Sequence, residues 1–148
     1  MASNSVAIPR ATQVAAVPRG GLVLLGRLFF AAIFVTSGFG HFFKQTISYA
    51  AAQGVPLASL TVPISGLMAV AGGLSIMLGY RAKLGAWLLV AFLVPVTFMM
   101  HKFWAVTDPM MAQMQMSMFM KNVSMIGTAL IISQFGAGPL SLDARRSR

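Results

Sequence analysis

The sequence predicts an all-α protein, a bundle of four transmembrane helices with both termini on the cytoplasmic side. Composition is the first reason, since 57% of the 148 residues are hydrophobic and only 9% are charged. A soluble domain carries about 25% charged residues, so this chain lacks the side chains that a water-exposed surface needs. The second reason is the distribution of the apolar residues, which form four blocks separated by basic and turn-forming residues.

A helix needs ~20 residues to span the ~30 Å of hydrocarbon in a bilayer, and the first three apolar blocks approach or exceed that length. The last block, residues 122–135, is too short by itself. Its helix is therefore predicted to begin earlier, which draws Lys121 into the membrane. The predicted spans are residues 21–42, 57–79, 84–100 and 112–135, within one membrane domain of residues 21–136.

Basic residues predict the orientation of the bundle. Residues 1–20 form a flexible tail and residues 137–148 a basic tail, and an even number of spans places both on one side. That side holds eight Lys and Arg residues and the other side three. Because cytoplasmic segments carry an excess of Lys and Arg, both tails are predicted to be cytoplasmic. Arg27, two turns into the first span, is expected to extend its side chain toward that surface.

Charge and composition also exclude several functions. The net charge is +9, but apolar blocks separate the basic residues, so no continuous groove is offered to nucleic-acid phosphates. The basic residues are better interpreted as topology signals and contacts to anionic lipids. Cysteine is absent, and Asp108 and Asp143 are the only carboxylate side chains. A thiol relay or a paired-carboxylate hydrolase is therefore excluded.

Lys121 is the first candidate for a functional residue. A lysine within a span costs about 2.5–3.5 kcal/mol on insertion scales, so it is expected to face the bundle or a wet cavity. Ser117, Ser124 and Thr128 recur on the same face at helical spacing, with Asn122 beside them. The alternative is that Lys121 only extends to the outer surface.

Two histidines close the first and third spans on the outer side, and aromatic residues follow both of them. Histidine can move protons near neutral pH and can donate hydrogen bonds to a quinone carbonyl or an anion. The alternatives are interfacial histidines and an ordinary aromatic belt. The predicted cofactor-binding site at the outer mouth of the bundle consists of Lys121, His101, Trp104, Asn122 and His41.

Methionine is abundant, with 12 residues in the chain. Met114, Met116 and Met118 lie near the start of the fourth span. Thioethers combined with an imidazole suit Cu(I), although methionine also fills apolar packing positions. No metal site is assigned on this basis.

Several short motifs, in their order and spacing, resemble the DoxX family of small bacterial membrane proteins. The resemblance covers about residues 20–143 and rests on Gly26-Arg27-Leu28, Ser37-Gly38-Phe39-Gly40, Gly54-Val55-Pro56, Gly72-Gly73, His101-Lys102-Phe103-Trp104, Gln115-Met116, Phe119-Met120-Lys121-Asn122 and Leu140-Ser141-Leu142-Asp143. It implies four transmembrane helices in the bacterial inner membrane. It also implies an association with membrane redox chemistry, such as thiosulfate:quinone oxidoreductase subunits and oxidative-stress complexes. Two positions depart from the family pattern. The family often has an acidic residue where this chain has Ala69, and a lysine where it has His41.

The resulting expectation is a multi-pass inner-membrane subunit or accessory of an oxidoreductase system that contacts quinone near the outer face. Two alternatives stay open: a non-catalytic structural or assembly subunit, and a Cu(I)-handling or transport protein that uses the methionine-rich segment. Catalysis itself is left open. The expected partners are the lipid bilayer and a membrane or peripheral oxidoreductase, with a homo-oligomer as a further option and no nucleic acid.

Overall fold

A computed structural model describes residues 19–146, and these residues form an all-α bundle. Four helices are long and apolar enough to span a membrane, which confirms the predicted fold class. Most of the predicted tail at residues 1–20 lies outside the described residues. The helices are α1 (Arg19–Gly40), α2 (Lys44–Ala52), α3 (Ala58–Leu78), α4 (Ala82–Met100), α5 (Pro109–Phe135) and α6 (Leu142–Arg146).

The four spanning helices, α1, α3, α4 and α5, pack in chain order: α1 against α3, α3 against α4, and α4 against α5. The short helix α2 packs on α3, and a 3₁₀ turn at Phe103–Ala105 packs on α5. We call the end of the bundle that contains His41 and His101 the histidine end. The opposite end, where α1 begins and α5 finishes, is the arginine end.

Glycines set the close approach between the helices. A Cβ atom on Gly66 of α3 would lie 2.8 Å from the backbone oxygen of Gly38 on α1. On the other side of α3, a Cβ on Gly72 would lie 3.0 Å from the backbone oxygen of Gly85 on α4. Small residues let helices associate in lipid, where no hydrophobic force drives them together. Glycines on two sides of α3 therefore let it approach both of its neighbours closely.

The buried core lies between α1, α3 and α4, and α5 is peripheral to it. Phe34, Ile76, Leu89 and Phe92 are all at most 5% exposed. On α5 the only buried residues are Asn122, Ala129 and Ser133, which lie on the face toward α4. Most of the surface of α5 thus faces away from the other described helices.

Helix α5 begins three residues before the predicted start at residue 112. Asp108 caps it, because its carboxylate accepts a hydrogen bond of 2.8 Å from the backbone N–H of Met111. Proline at the first helical position needs no N–H partner, so Pro109 fits this start. The ends of the other three spanning helices differ from the prediction by at most two residues. The sequence analysis did not predict α2 and α6.

At the arginine end, residues 137–143 fold back onto the bundle, and we call them the C-terminal segment. Arg27 is only 6% exposed. Its guanidinium donates hydrogen bonds of 2.6 Å to the carbonyl of Ala137 and 2.8 Å to the carbonyl of Leu140. Arg27 therefore binds backbone of the same chain, whereas the sequence suggested that it extends freely to the membrane surface.

The same segment caps α4. The carboxylate of Asp143 accepts hydrogen bonds from the backbone N–H groups of Arg81 at 2.8 Å and Ala82 at 3.0 Å. The N–H of Asp143 donates in turn to the carbonyl of Gly79 at 2.8 Å. Gly79 and Arg81 both have positive φ angles, so the turn between α3 and α4 is tight. Asp143 thus stabilises a strained turn 62 residues away in sequence.

Candidate functional site

A cavity of about 360 Å³ lies at the histidine end, between α1, α2, α3 and α4. Its walls are mainly apolar, with residues such as Val62, Phe92 and Met99. His41 lies on the wall, and the α2 residues Thr46 and Ala50 contribute to one side. Pockets that bind small molecules are mostly apolar with a few placed polar groups, and this cavity has that character.

His41 is held in a defined orientation. Its ring packs edge-on against Phe92, with centroids 5.7 Å apart. Its Nδ1 lies 3.2 Å from the carbonyl oxygen of Ser37. Because a carbonyl only accepts hydrogen bonds, Nδ1 carries the proton. This leaves Nε2 as the ring nitrogen available to a ligand in the cavity.

The hydroxyls of the cavity wall are mostly occupied by backbone. Thr61 donates to the carbonyl of Pro56 at 3.0 Å, and Ser65 donates to that of Val62 at 2.7 Å. These hydroxyl oxygens retain acceptor capacity but have used their protons. Polar recognition of a ligand therefore depends mainly on His41.

His101 lies at the same end but is not part of the cavity wall. Its Nδ1 donates to the side-chain oxygen of Gln115 on α5 at 2.8 Å. The next residue, Lys102, donates to the carbonyl of Gln53 at 3.3 Å. These two bonds connect the end of α4 to α5 and to the loop after α2. They hold these three parts of the chain together at the histidine end of the bundle.

Trp104 belongs to an aromatic cluster on the outside of the bundle. Its ring lies 6.0 Å from that of Phe119 and 5.1 Å from that of Phe103, both edge-on. Phe98 also packs against Phe119, at 5.4 Å. Trp104 is 57% exposed. This arrangement is typical of aromatic residues at a membrane interface, and it keeps Trp104 away from the cavity.

Lys121 and Asn122 lie on different faces of α5, one exposed and the other buried. Lys121 is exposed, and its ammonium lies 3.3 Å from the sulfur of Met118. Asn122 is 5% exposed and faces α4. The sequence led us to expect Lys121 to face the bundle or a wet cavity. In the structure it faces away from the bundle interior. Of the five predicted site residues, only His41 reaches the cavity.

Sequence reasoning missed the α2 wall of the cavity and the partner of His101. Helix α2 has only nine residues, too few to register in a search for spans. Gln115 did appear among the motifs of the family resemblance, but nothing linked it to His101. Within residues 19–146, no three His, Cys, Asp or Glu side chains group closely enough to hold a metal ion.

The fold and its apolar surface define this protein as a small four-span integral membrane protein. The DoxX family model matches residues 22–102. The chain is 31% identical to the inner membrane protein YphA of Escherichia coli (strain K12) over 126 residues, covering 84% of this chain and 89% of YphA. It is 29% identical to the inner membrane protein YqjF of the same organism over 123 residues, covering 82% and 88%. No solved structure matches.

The chain belongs to the DoxX family. It is a multi-pass protein of the inner membrane, as the sequence predicted. His41 and His101 lie within the residues that match the family model, whereas Trp104, Lys121 and Asn122 lie beyond them. The relatives are described only as inner membrane proteins, so the function must be argued from the site.

Proposed function

We propose that this protein binds a membrane-soluble quinone in the histidine-end cavity, as a subunit or accessory of a membrane oxidoreductase system. The observation that carries the proposal is an apolar cavity of about 360 Å³ with one oriented imidazole on its wall. A quinone ring is flat and apolar and has polar oxygens only at its edge. The cavity offers mainly apolar contacts and one oriented imidazole, which matches that distribution.

His41 can serve both redox states of such a ligand. With Nδ1 bonded to Ser37, neutral His41 presents Nε2 as an acceptor for a quinol hydroxyl. When protonated, it presents Nε2–H as a donor to a quinone carbonyl. The role of the chain is to bind and orient the ligand and to hold a proton at Nε2, while a partner supplies the electrons.

Mass spectrometry of quinones extracted from gently solubilised protein tests this proposal. We expect close to one quinone per chain in the wild type and at least a fivefold loss in Ala91→Phe, which fills the cavity from α4. His41→Leu, which removes the only imidazole of the wall, should also reduce retention. Lys121→Ala is the matched control, because Lys121 lies outside the cavity. An unrelated membrane protein of similar size gives the background.

Quinone at background level in the wild type would remove the ligand-binding proposal and leave the non-catalytic assembly role as the better account. Loss of quinone in Lys121→Ala with retention in Ala91→Phe would move the site to α5. Either result contradicts a site in the cavity.

Cu(I) handling is a second candidate, favoured by one observation. Met68, Met99 and Met100 line the same cavity as His41, and thioether and imidazole ligands suit Cu(I). The methionine-rich start of α5 is less suitable, since Met114, Met116 and Met118 are exposed. Elemental analysis of protein purified anaerobically with Cu(I) should then give about one copper per chain. Copper that is retained in a Met99→Leu, Met100→Leu double variant would contradict this candidate.

A further inference from the structure

One face of α5 carries polar groups although no described helix covers it. Ser117, Lys121 and Ser124 are exposed there, and Thr128 is half-exposed. We call these four residues the outer stripe. The residues of α5 that pack on α4 lie on a different face of the helix, since Asn122, Ala129 and Ser133 are centred about a third of a turn from these four residues. The outer stripe therefore faces the surroundings of the bundle.

The depth of Lys121 follows from the bond between His101 and Gln115. His101 directly follows α4, so Gln115 marks the level at which that span ends. Lys121 lies six residues further along α5, which is ~9 Å deeper at 1.5 Å per residue. Its ammonium extends back toward Met118, but Met118 is itself three residues, or ~4.5 Å, below the same level. The charge thus lies below the end of the neighbouring span.

Within the described part of the chain, the ammonium of Lys121 has only the thioether of Met118 as a partner. A thioether is a weak acceptor, whereas an ammonium has three strong donors. The stripe hydroxyls do not bond to Lys121. Those of Ser117, Ser124 and Thr128 each donate to the carbonyl one turn earlier, at 3.0, 3.0 and 3.1 Å. A charge at this depth needs a better partner.

A second copy of this chain does not supply one. The whole sequence has two carboxylate side chains. Asp108 caps the start of α5 and Asp143 caps the start of α4, and both lie outside the spanning helices. Two copies that meet through the outer stripe would also bring their Lys121 ammonium groups together. The occupant of this face must therefore carry a negative charge that this chain lacks.

We propose that the outer stripe is the docking surface for a transmembrane helix of another protein, one that carries Asp or Glu at the depth of Lys121. The carboxylate would pair with Lys121, and the small hydroxyl residues on either side would let the two helices approach closely. An intramembrane ion pair satisfies both charges, which the hydrocarbon tails of lipids cannot do for either alone. This proposal does not depend on the quinone cavity, which lies on the other side of α4.

The test uses synthetic polyleucine transmembrane helices as probes, with either Glu or Leu at the depth of Lys121. The chain has no cysteine, so Lys44→Cys at the exposed start of α2 accepts one fluorescent donor. Energy transfer to an acceptor on the probe then reports association in phosphatidylcholine vesicles. We expect the Glu probe to bind at least about threefold more tightly than the Leu probe, the scale of polar contacts between membrane helices. Lys121→Leu should abolish the preference.

Charge exchange separates pairing from a change in fold. A Lys121→Glu variant should lose the preference for the Glu probe. It should instead bind a probe with Lys at the same depth more tightly than the Leu probe. Lys83→Leu is the matched control, because Lys83 is an exposed lysine at the opposite end of the bundle. It should keep the preference for the Glu probe. Helicity of each variant is checked by circular dichroism.

Equal binding of the Glu and Leu probes would overturn the proposal, as would a Glu preference that survives Lys121→Leu. Loss of the preference on adding anionic phosphatidylglycerol would assign Lys121 to lipid phosphate instead. Self-association between donor- and acceptor-labelled copies that disappears in Lys121→Leu would assign the face to a second copy. Both of these results also overturn the docking of a foreign helix.

Discussion

Arg27 and Asp143 show how single polar residues organise the arginine end. Arg27 joins α1 to the C-terminal segment through two carbonyls, and Asp143 joins that segment to the start of α4. Buried polar groups are stable only when they are hydrogen-bonded. Both residues bind backbone groups, so their hydrogen bonds form only when the C-terminal segment is correctly placed. The packing of α1 and the start of α4 therefore depends on the position of that segment.

Replacing Asp143 with alanine should destabilise the bundle by about 1–2 kcal/mol, because α4 loses the cap on two backbone N–H groups. Thermal unfolding in detergent, followed by circular dichroism, measures the change. Asp108→Ala removes one cap bond from α5 and should have a smaller effect. An equal or larger effect of Asp108→Ala would contradict the special role of Asp143.

Replacing Arg27 with leucine should release the C-terminal segment, since hydrogen bonds from a charged donor contribute about 1.5–3 kcal/mol each. Trypsin cleavage after the exposed Arg145 should then become at least tenfold faster, because proteolysis follows the population of the opened form. Lys44→Leu, at the opposite end, should leave the rate unchanged. Unchanged cleavage in Arg27→Leu would mean that other contacts hold the segment.

The partners of these residues could not be predicted from the sequence. Arg27 binds carbonyl oxygens, which every residue has, so no side-chain pattern marks Ala137 and Leu140 as its partners. His41 and His101 were correctly placed at one end of the bundle, because both directly follow a spanning helix. That His41 reaches a cavity while His101 bonds to Gln115 depends on local packing that residue spacing does not encode.

At the scale of the elements, α3 is the central helix of the bundle, and its glycines fix the distance to both neighbours. Gly66→Ala should destabilise the protein by about 1–3 kcal/mol, since the added methyl would press on the backbone of α1. Gly127→Ala on α5 is the control, because nothing lies within 4 Å of its position. Alanine is the better helix former by up to about 1 kcal/mol, so Gly127→Ala should be neutral or stabilising.

Unfolding in a graded series of SDS and mild detergent measures both glycine variants. Similar loss of stability in the two would show that helix propensity, and not the crossing of α1 and α3, determines the result. A larger loss for Gly66→Ala supports the close approach.

Hydropathy predicted the positions of the spanning helices well, but it predicted poorly which face of each helix points into the bundle. A span in lipid is apolar on every side, so it lacks the amphipathic pattern that orients a helix in a soluble protein. The polar face of α5 was assumed to point inward, and Lys121 was placed at a shared site on that basis. Helix α2 was missed for a different reason, since its nine residues carry no span signal.

At the scale of the whole molecule, the described ends of the chain meet at the arginine end, as four antiparallel spans require. The excess of basic residues predicts that this end is cytoplasmic. In intact spheroplasts, a maleimide that cannot cross the membrane should label Lys44→Cys and leave Arg145→Cys unlabelled. Labelling of Arg145→Cys after lysis shows that the site is reactive. The opposite pattern in intact cells would reverse the predicted orientation.

The fold of the C-terminal segment has a consequence for biogenesis. Ala137, Leu140 and Asp143 follow the fourth span in the chain, so the ribosome makes them after all four helices have been translated. Until then, Arg27 lacks its carbonyl partners and the turn before α4 lacks its cap. A nascent chain that stops after α5 would have all four spanning helices but would lack the contacts that close the arginine end. The bundle can therefore close at this end only once the C-terminal segment has been made.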